Sequence, residues 1–556
     1  MTAKEGRKPT RRFEWISVGV LTTAALAVRL LGIGWGLPNS QHYFSYHPDE
    51  IFLLMPAFGF AQGDWNPHFF NYGTLYIYLV GIPAVVFHLV PDPVRFPQGL
   101  APLYLAGRIV TALLGAATIP VLYLALRRES KGLAWGSALL LAICPLHVIN
   151  SHYATVDVPA TFFITLAFLF ALRGAGQPTL KHAILAGLFV GLAAATKYNA
   201  ALFLLPVLLA PLLATVGRVC RTPAMAGGRM PAGRRSWASW WLGVPISAAL
   251  AFRLCVPWVG TPEFRKAFLF ELEHARIGGT LAFVDTGSGW SYHLLHGLPV
   301  ALGYPLLAAF IIGLALALRS ESPALRLSLL WCLIYFAVIG FSKERFIRYL
   351  VPMMPFVCVL ADLIVERSYR LAMEWKARSR WRFELLTTVV GAPFALTLFY
   401  LLVISPPLLG PDARDEAWDD NRWRAERGTV GLVSAPWYFD PPASPYNAGP
   451  FSLPLFNAWN AANGNRLIVT GWDVATLKAA RPDCFVLSDL ESMDPLRLKY
   501  PKAVGLVEAL GRTYRNRLSY QSVTYHLSWL APPRSWSPPD WLYPQPDITV
   551  YHSPRP

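Results

Sequence analysis

The run Tyr46-His47-Pro48-Asp49-Glu50 sets two carboxylates directly after an apolar stretch, and Ser151-His152-Tyr153-Ala154-Thr155-Val156-Asp157 sets a third after another. Ionised groups beside lipid are costly unless paired or used. Isolated cations stand in comparable places. Lys197 lies in Lys197-Tyr198-Asn199 between two short apolar runs, and Arg345 and Arg348 lie in Lys343-Glu344-Arg345-Phe346-Ile347-Arg348. A carboxylate can take a proton from an attacking hydroxyl. Lysine and arginine can hold a phosphate as charge develops on it, arginine through a bidentate fork. Asp49 or Glu50 suits the first task, and Lys197, Arg345 and Arg348 suit the second. Each also has a plainer reading. Asp49, Glu50 and Asp157 can be acids at helix starts opened by Pro48 and Pro159, where the helix dipole favours them. Arg345 and Arg348 can pair with Glu344 or reach the interface. His47 and His152 stand near the acids, as candidate substrate contacts or metal ligands.

The elements that must position these groups are membrane helices. The chain of 556 residues is 54% hydrophobic and 15% charged, a balance foreign to soluble globular chains. Its net charge of +16 is no nucleic-acid signature, because most basic residues fall in short loops between apolar runs, where they set orientation. The six cysteines form no CxxC pair or Cys/His spacing for zinc, and Cys144, Cys220, Cys255, Cys332, Cys358 and Cys484 suggest no disulfide framework. The basic N-terminus with its apolar run predicts an uncleaved anchor. Arg29, inside that run, is expected to face the bundle and pair internally.

Apolar spans are predicted at about 15–36, 103–126, 133–149, 155–172, 181–196, 200–216, 238–257, 298–318, 326–341, 349–366 and 384–404, eleven in all. Tyr72 to Val90 is apolar too, but a crossing there would turn the basic loops at Arg127 to Lys131, Arg218 to Arg235 and Arg367 to Arg382 outward. It is therefore read as a juxtamembrane or re-entrant segment. The N-terminus then lies in the cytoplasm. Asp49, Glu50, Asp157, Lys197, the loop from Trp258 to Pro299, Arg345 and Arg348 share the outer face. From about residue 411 the composition shifts. Leu467 to Thr470, Cys484 to Leu487 and Asp547 to Tyr551 predict strands, and Asp415 to Glu426 and Pro501 to Gly511 predict helices. The expected organisation is a basic N-terminus over 1–14, a transmembrane domain over 15–405 with an outer loop at 37–102, and an extracytoplasmic α/β or α+β domain over 406–556.

Taken in order, His47-Pro48-Asp49-Glu50, Ala106-Gly107-Arg108 through Gly115, Pro145-Leu146-His147 through Ser151-His152 to Asp157-Val158-Pro159, Ala195-Thr196-Lys197-Tyr198-Asn199-Ala200 and Arg348-Tyr349-Leu350-Val351-Pro352 resemble a known group. It comprises the lipid-linked-sugar glycosyltransferases of the GT-C fold, of the protein O-mannosyltransferase-like and lipid A aminoarabinose transferase-like kinds. The resemblance covers about residues 14 to 405. It implies inverting transfer of a sugar from a polyprenyl-phosphate donor to an extracytoplasmic glycan, lipid or protein. Asp49 would be the base with Glu50 beside it, and Lys197, Arg345 and Arg348 would face the donor phosphate. Asp157, His152, Tyr198, Asn199 and His47 would bind substrate. Tyr43, Phe44, Trp65, Tyr72, Tyr153 and Trp290 could face sugar rings or anchor at the interface. The zinc site of the aminoarabinose branch has no counterpart in the alignment of motifs, so no required metal is expected. The C-terminal region does not resemble the β-trefoil insert of the protein mannosyltransferases, which leaves the acceptor open. A transporter or flippase, or a non-catalytic lipid-sugar-binding relative, are the alternatives. Transporters place ionisable residues near the midplane between repeated helices, whereas these acids lie in loops.

Overall fold

The computed structural model describes residues 11–219, 234–376, 378–420, 428–447, 449, 452–523 and 527–552. Most of the basic loop between Arg218 and Arg235, with Cys220, and the end of the predicted helix at Asp415 to Glu426 lie outside these residues, as do the first ten.

The first half of the chain forms α1 (Arg11–Leu30), α2 (Glu50–Leu54), α3 (Pro56–Ala61), α4 (Leu75–Val86), α5 (Ala101–Leu126) and α6 (Lys131–Ile143). It continues through α7 (Pro145–Asn150), α8 (Asp157–Gly176), α9 (Leu180–Thr196) and α10 (Leu204–Val219). The second half adds α11 (Arg234–Cys255), α12 (Pro262–Ile277), α13 (Gly289–Tyr292), α14 (Leu298–Ala317), α15 (Pro323–Ile339), α16 (Met354–Trp375) and α17 (Arg380–Ile404). Eight helical segments among the described residues are long and apolar enough to cross a membrane: α1, α5, α8, α11, α14, α16 and α17, and α10 taken together with the turn at Tyr198–Phe203 that leads into it. The chain is thus a multi-pass integral membrane protein.

The other three predicted spans are shorter apolar helices, α6, α9 and α15, of 13, 17 and 17 residues. Helix α6 is short because Cys144 is extended and Pro145 restarts the chain as α7, proline being unable to continue the hydrogen-bond ladder. The break frees carbonyls, and Arg29 uses them. Its guanidinium donates to the carbonyls of Leu141 and Ala142 at 3.3 and 3.2 Å and meets His147 Nδ1 at 3.0 Å. Arg29 therefore faces the bundle as expected, held by a helix end and not by an acid. Helix α4 has 12 residues, about 18 Å at 1.5 Å per residue, whereas α6 is followed at once by α7. Helix α4 packs on α3, with Phe60 against Gly81.

The ends of the bundle differ chemically. At one end Lys131 Nζ meets Glu14 at 2.7 Å, Ser130 donates to Glu366, and Arg326 donates to the Leu213 carbonyl at 3.0 Å. The acids at 49, 50 and 157 all lie at the opposite end, with Lys197 and Arg348. Close approach between helices depends on small residues. A Cβ on Gly191 of α9 would stand 2.3 Å from the Ala248 carbonyl of α11.

Beyond α17 lies a five-stranded sheet of β1 (Val430–Leu432), β2 (Leu467–Val469), β3 (Cys484–Ser488), β4 (Asn516–Gln521) and β5 (Asp547–His552). The order is β2-β1-β3-β5-β4. Strands β2 and β3 flank β1 in parallel, while β5 runs antiparallel to β3 and β4. With the helices Val474–Ala480, Asp489–Arg497 and Pro501–Thr513 this is a small α/β region. It clamps the segment between α1 and α2. Trp35 Nε1 donates to Asp412 at 3.0 Å, Tyr46 donates to Asp415, and the Arg414 guanidinium lies 3.8 Å from the Tyr46 ring centroid.

Candidate functional site

Asp49 and Glu50 are adjacent in sequence and opposite in fate. Glu50 is fully buried. Its Oε1 accepts from Arg108 Nε at 2.7 Å and from the Ala154 backbone at 2.8 Å. Its Oε2 accepts from Arg108 Nη2 at 2.7 Å and from Ser45 Oγ at 2.5 Å. Every lone-pair direction is occupied. Burial pushes this carboxyl up, and the Arg108 guanidinium more than reverses it, so the group stays below its ordinary value. Arg108 also donates to the carbonyls of Ile33 and Trp35 at 2.8 and 2.5 Å. The pair ties α2 to α5 and to the end of α1, and it leaves Glu50 nothing to offer a substrate.

Asp49 occupies the N-cap position of α2, yet its side chain makes no capping hydrogen bond. About a quarter of the side chain is exposed, and Oδ2 stands 3.0 Å from Arg348 Nη2. Asp49 thus stands at a helix start, as the plainer reading expects, but its carboxylate is turned to Arg348 and not to the helix N–H groups. Arg348 is buried, lies 4.2 Å from the Phe346 ring centroid, and keeps a buried Nη1 with no hydrogen bond among the described residues. Asp540 Oδ2 stands 3.7 Å from that nitrogen.

A second ion pair stands beside the first. Lys197 ends α9 as its C-cap and Asp157 lies in the first turn of α8; Lys197 Nζ and Asp157 Oδ1 are 2.5 Å apart, both buried. The Tyr349 ring joins the two pairs, with Lys197 Nζ 4.8 Å and Arg348 Cζ 5.8 Å from its centroid. Tyr198 donates to the carbonyls of Phe70 and Tyr72 at 2.9 and 2.8 Å, which sets Tyr72 near Asp49 and Arg348. The backbone there is tight, since a Cβ on Gly73 would lie 2.0 Å from the Ala195 carbonyl. Asn199 donates to Tyr335 at 3.1 Å and keeps a buried, unpartnered Oδ1.

The remaining candidates divide. His47 lies against Tyr153 and Tyr543, with ring centroids 4.5 and 5.2 Å away. Burial lowers its imidazole despite Asp49 and Glu50 nearby. His152 is held by the carbonyls of Val148 and Leu31 at 2.9 and 2.8 Å, away from the ion pairs. Arg345 is turned from Asp49. It binds the loop carbonyls of Phe283 and Gly287, the latter at 2.8 Å, and the Thr286 hydroxyl. The structure thus gathers Asp49, Arg348, Lys197 and Asp157, with His47, Tyr198 and Asn199 around them, and assigns Glu50, Arg345 and His152 to framework contacts. Tyr72 and Tyr153 flank the cluster. Trp65 packs on Phe60 and Trp290 on Phe341, elsewhere. Tyr43 packs on Tyr446, and Phe44 is in the core.

Two contributors were not expected from sequence. Arg108 carried the one available signal, an arginine inside an apolar helix that requires a partner. Asp540 carried none. It comes from the C-terminal region, and its carboxylate accepts the backbone N–H groups of Ile347 and Arg348 at 3.0 and 3.1 Å. Burial raises its carboxyl while Arg348 and those N–H groups oppose the rise. Tyr438 and Tyr543, 5.3 Å apart, complete that wall, and burial pushes the Tyr438 hydroxyl up to about 12.

Over nearly its full length the chain superposes on a solved oligosaccharyltransferase of Archaeoglobus fulgidus tethered to an acceptor peptide. The TM-score is 0.50 at 14% identity, covering 96% of this chain and 78% of that one. The chain has the GT-C fold. ArnT of Cupriavidus metallidurans bound to undecaprenyl phosphate superposes with a TM-score of 0.48 at 14% identity over 98% of this chain and 99% of that one. Residues 98–258 match the dolichyl-phosphate-mannose-protein mannosyltransferase family, and residues 287–411 match the Alg9-like mannosyltransferase family. The first stretch holds Asp157 and Lys197, the second Arg348, and Asp49 lies in neither. An undecaprenyl phosphate-alpha-4-amino-4-deoxy-L-arabinose arabinosyl transferase of Shewanella sediminis (strain HAW-EB3) is 28% identical over 260 residues, 45% of this chain. The match spans 43% of that relative's length.

Proposed function

We propose that the chain is an integral membrane glycosyltransferase, moving a sugar from a polyprenyl-phosphate carrier to a glycan, lipid or protein outside the cytoplasm. The observation that carries this reading is the part-exposed Asp49 carboxylate, uncapped and facing Arg348, beside a Glu50 that is entirely consumed by Arg108. The acceptor hydroxyl attacks the anomeric carbon and gives its proton to Asp49. The bond from that carbon to the phosphate oxygen breaks, and the oxygen keeps the electron pair. Arg348, whose Nη1 makes no hydrogen bond among the described residues, and Lys197 stabilise the charge that develops there. Asp157 holds Lys197 in place, and the displacement inverts the anomeric centre. Support comes from the two mannosyltransferase families and from the arabinosyl transferase relative, whose name specifies an undecaprenyl-phosphate donor.

The membrane is a cell, or inner, membrane, with residues 15–405 as its embedded domain and residues 406–556 outside. The dense basic loops at the end opposite the acids support that orientation. Mass spectrometry of lipid-linked sugars and surface glycans tests the proposal in cells with the parent protein, without it, or with Asp49→Asn only. A polyprenyl-phosphate sugar should accumulate, and a surface glycan should lose that sugar, in both deficient strains. Identical profiles in all three would overturn it.

A further inference from the structure

The end of the bundle opposite the acids contains a cavity of about 650 Å³ between α5, α6, α8, α10, α15 and α16. Its floor is apolar, with Leu133, Leu172, Leu325 and Leu363, and its rim carries Arg128, Arg173, Arg367 and Arg370. Three acids, Glu129, Glu321 and Glu366, stand on the same rim, and two of them have other work. Glu366 accepts from Arg370 at 2.7 Å and from Ser130, and Glu129 accepts the Ala324 backbone at 3.3 Å. Arg173 donates one Nη2 bond to the Leu124 carbonyl at 3.1 Å, and its Nε is buried without a partner. Arg128 and Arg367 make no ion pair among the described residues. Cationic forks above an oily floor suit an amphiphile with a phosphate head.

We propose that this cavity is a binding site for the headgroup of an anionic phospholipid from the adjacent leaflet, with Arg128, Arg173 and Arg367 on its phosphate and an acyl chain along the leucines. Basic pockets between membrane helices act in this way. Loops that are basic only to set orientation would meet lipid without selecting a headgroup, and would not converge on one open cleft. The site is separate from the cluster around Asp49 and does not depend on the chemistry assigned there.

The test uses the purified full chain in detergent and measures binding of a short-chain fluorescent phosphatidylglycerol. Phosphatidylcholine of the same chain length is the neutral comparison and inorganic phosphate the competitor. Phosphatidylglycerol should bind at least about tenfold more tightly than phosphatidylcholine, and R173A/R367A should abolish most of that preference, as expected for lost charge-assisted bonds. The paired lysine variant should stay within a few-fold of the parent, which separates charge from folding. Arg380→Ala, at an exposed arginine paired with Glu384, should change nothing. Equal binding of the two lipids, or parent-like selectivity in folded R173A/R367A, would overturn the proposal. Displacement of the lipid by inorganic phosphate at comparable concentration would mark a free-anion site and equally overturn it. If the alanine pair does not fold, the lipid comparison and the lysine pair still decide.

Discussion

Asp540 holds Arg348 twice: it accepts that residue's backbone N–H at 3.1 Å, and its Oδ2 stands 3.7 Å from the guanidinium Nη1. The carboxylate thus fixes both the start of the turn at Ile347–Met353 and the direction of the side chain that faces Asp49. It does so from a region nearly 200 positions downstream, which makes the C-terminal sheet region part of the site.

Asp540→Asn keeps one acceptor oxygen and removes the charge. The expected outcome is a rise in KM for the lipid donor with kcat affected less, because Arg348 is aimed less well but Asp49 is intact. Asp540→Ala should be worse, leaving two buried N–H groups unpaired at about 1–3 kcal/mol each. Steady-state kinetics against donor concentration would decide, and an unchanged KM in both variants would remove Asp540 from the site.

Neighbouring acids should behave differently on substitution. Asp49→Asn should leave the folded protein near parental stability and cut turnover by about 10²–10⁴-fold, the usual worth of a general base. Glu50→Gln should instead destabilise the protein, on the order of 3–5 kcal/mol, since Arg108 loses its buried counter-charge. Thermal unfolding and single-turnover assays on the two purified variants separate the effects. A stable, inactive Glu50→Gln with an active Asp49→Asn would reverse the assignment.

The buried pair of Lys197 and Asp157 predicts non-additivity. Either Lys197→Met or Asp157→Asn alone strands one charge and should cost several kcal/mol, on the order of 3. The double variant should regain most of that stability without regaining donor affinity. Lys197→Arg should retain more donor binding than Lys197→Met. A double variant with parental donor affinity would reduce the pair to a structural role.

The C-terminal region contains its own titration. Burial raises Glu491 from 4.5 to about 7, and Asp440, near it, is raised as well. The folded state then holds more protons than the unfolded chain between those values, so stability falls as pH rises from about 4.5 to about 7. The melting temperature should drop by a few degrees, on the order of 1–5 °C, between pH 5 and pH 8. Glu491→Gln should flatten the dependence; a parental slope in that variant would refute it.

Reporter fusions in the loop near Arg128 and after the last residue should report opposite sides of the membrane. The expectation rests on eleven crossings and on α4 lying at the surface. Both reporters on one side would require α4 or another segment to be reassigned.

Sequence alone determined the features governed by length and composition. Apolar runs located the spans, and the sidedness of the basic loops marked Tyr72 to Val90 as a surface segment. It also located Leu467–Val469, Cys484–Ser488 and Asp547–His552, whose apolar patterning suits buried strands. It missed Val430–Leu432, only three residues long and centred on Gly431, and Asn516–Gln521, an edge strand with polar side chains. Only the tertiary structure decided which of two adjacent acids faces the site. Side-chain direction at 49 and 50 depends on Arg348 and Arg108, which are distant in sequence and brought close by packing. The same reason turned Arg345 onto the loop at Phe283 to Gly287, closed Lys197 onto Asp157, and brought Asp540 to Arg348. A local pattern can show that a charge needs a partner, but the partner is chosen by which helices meet.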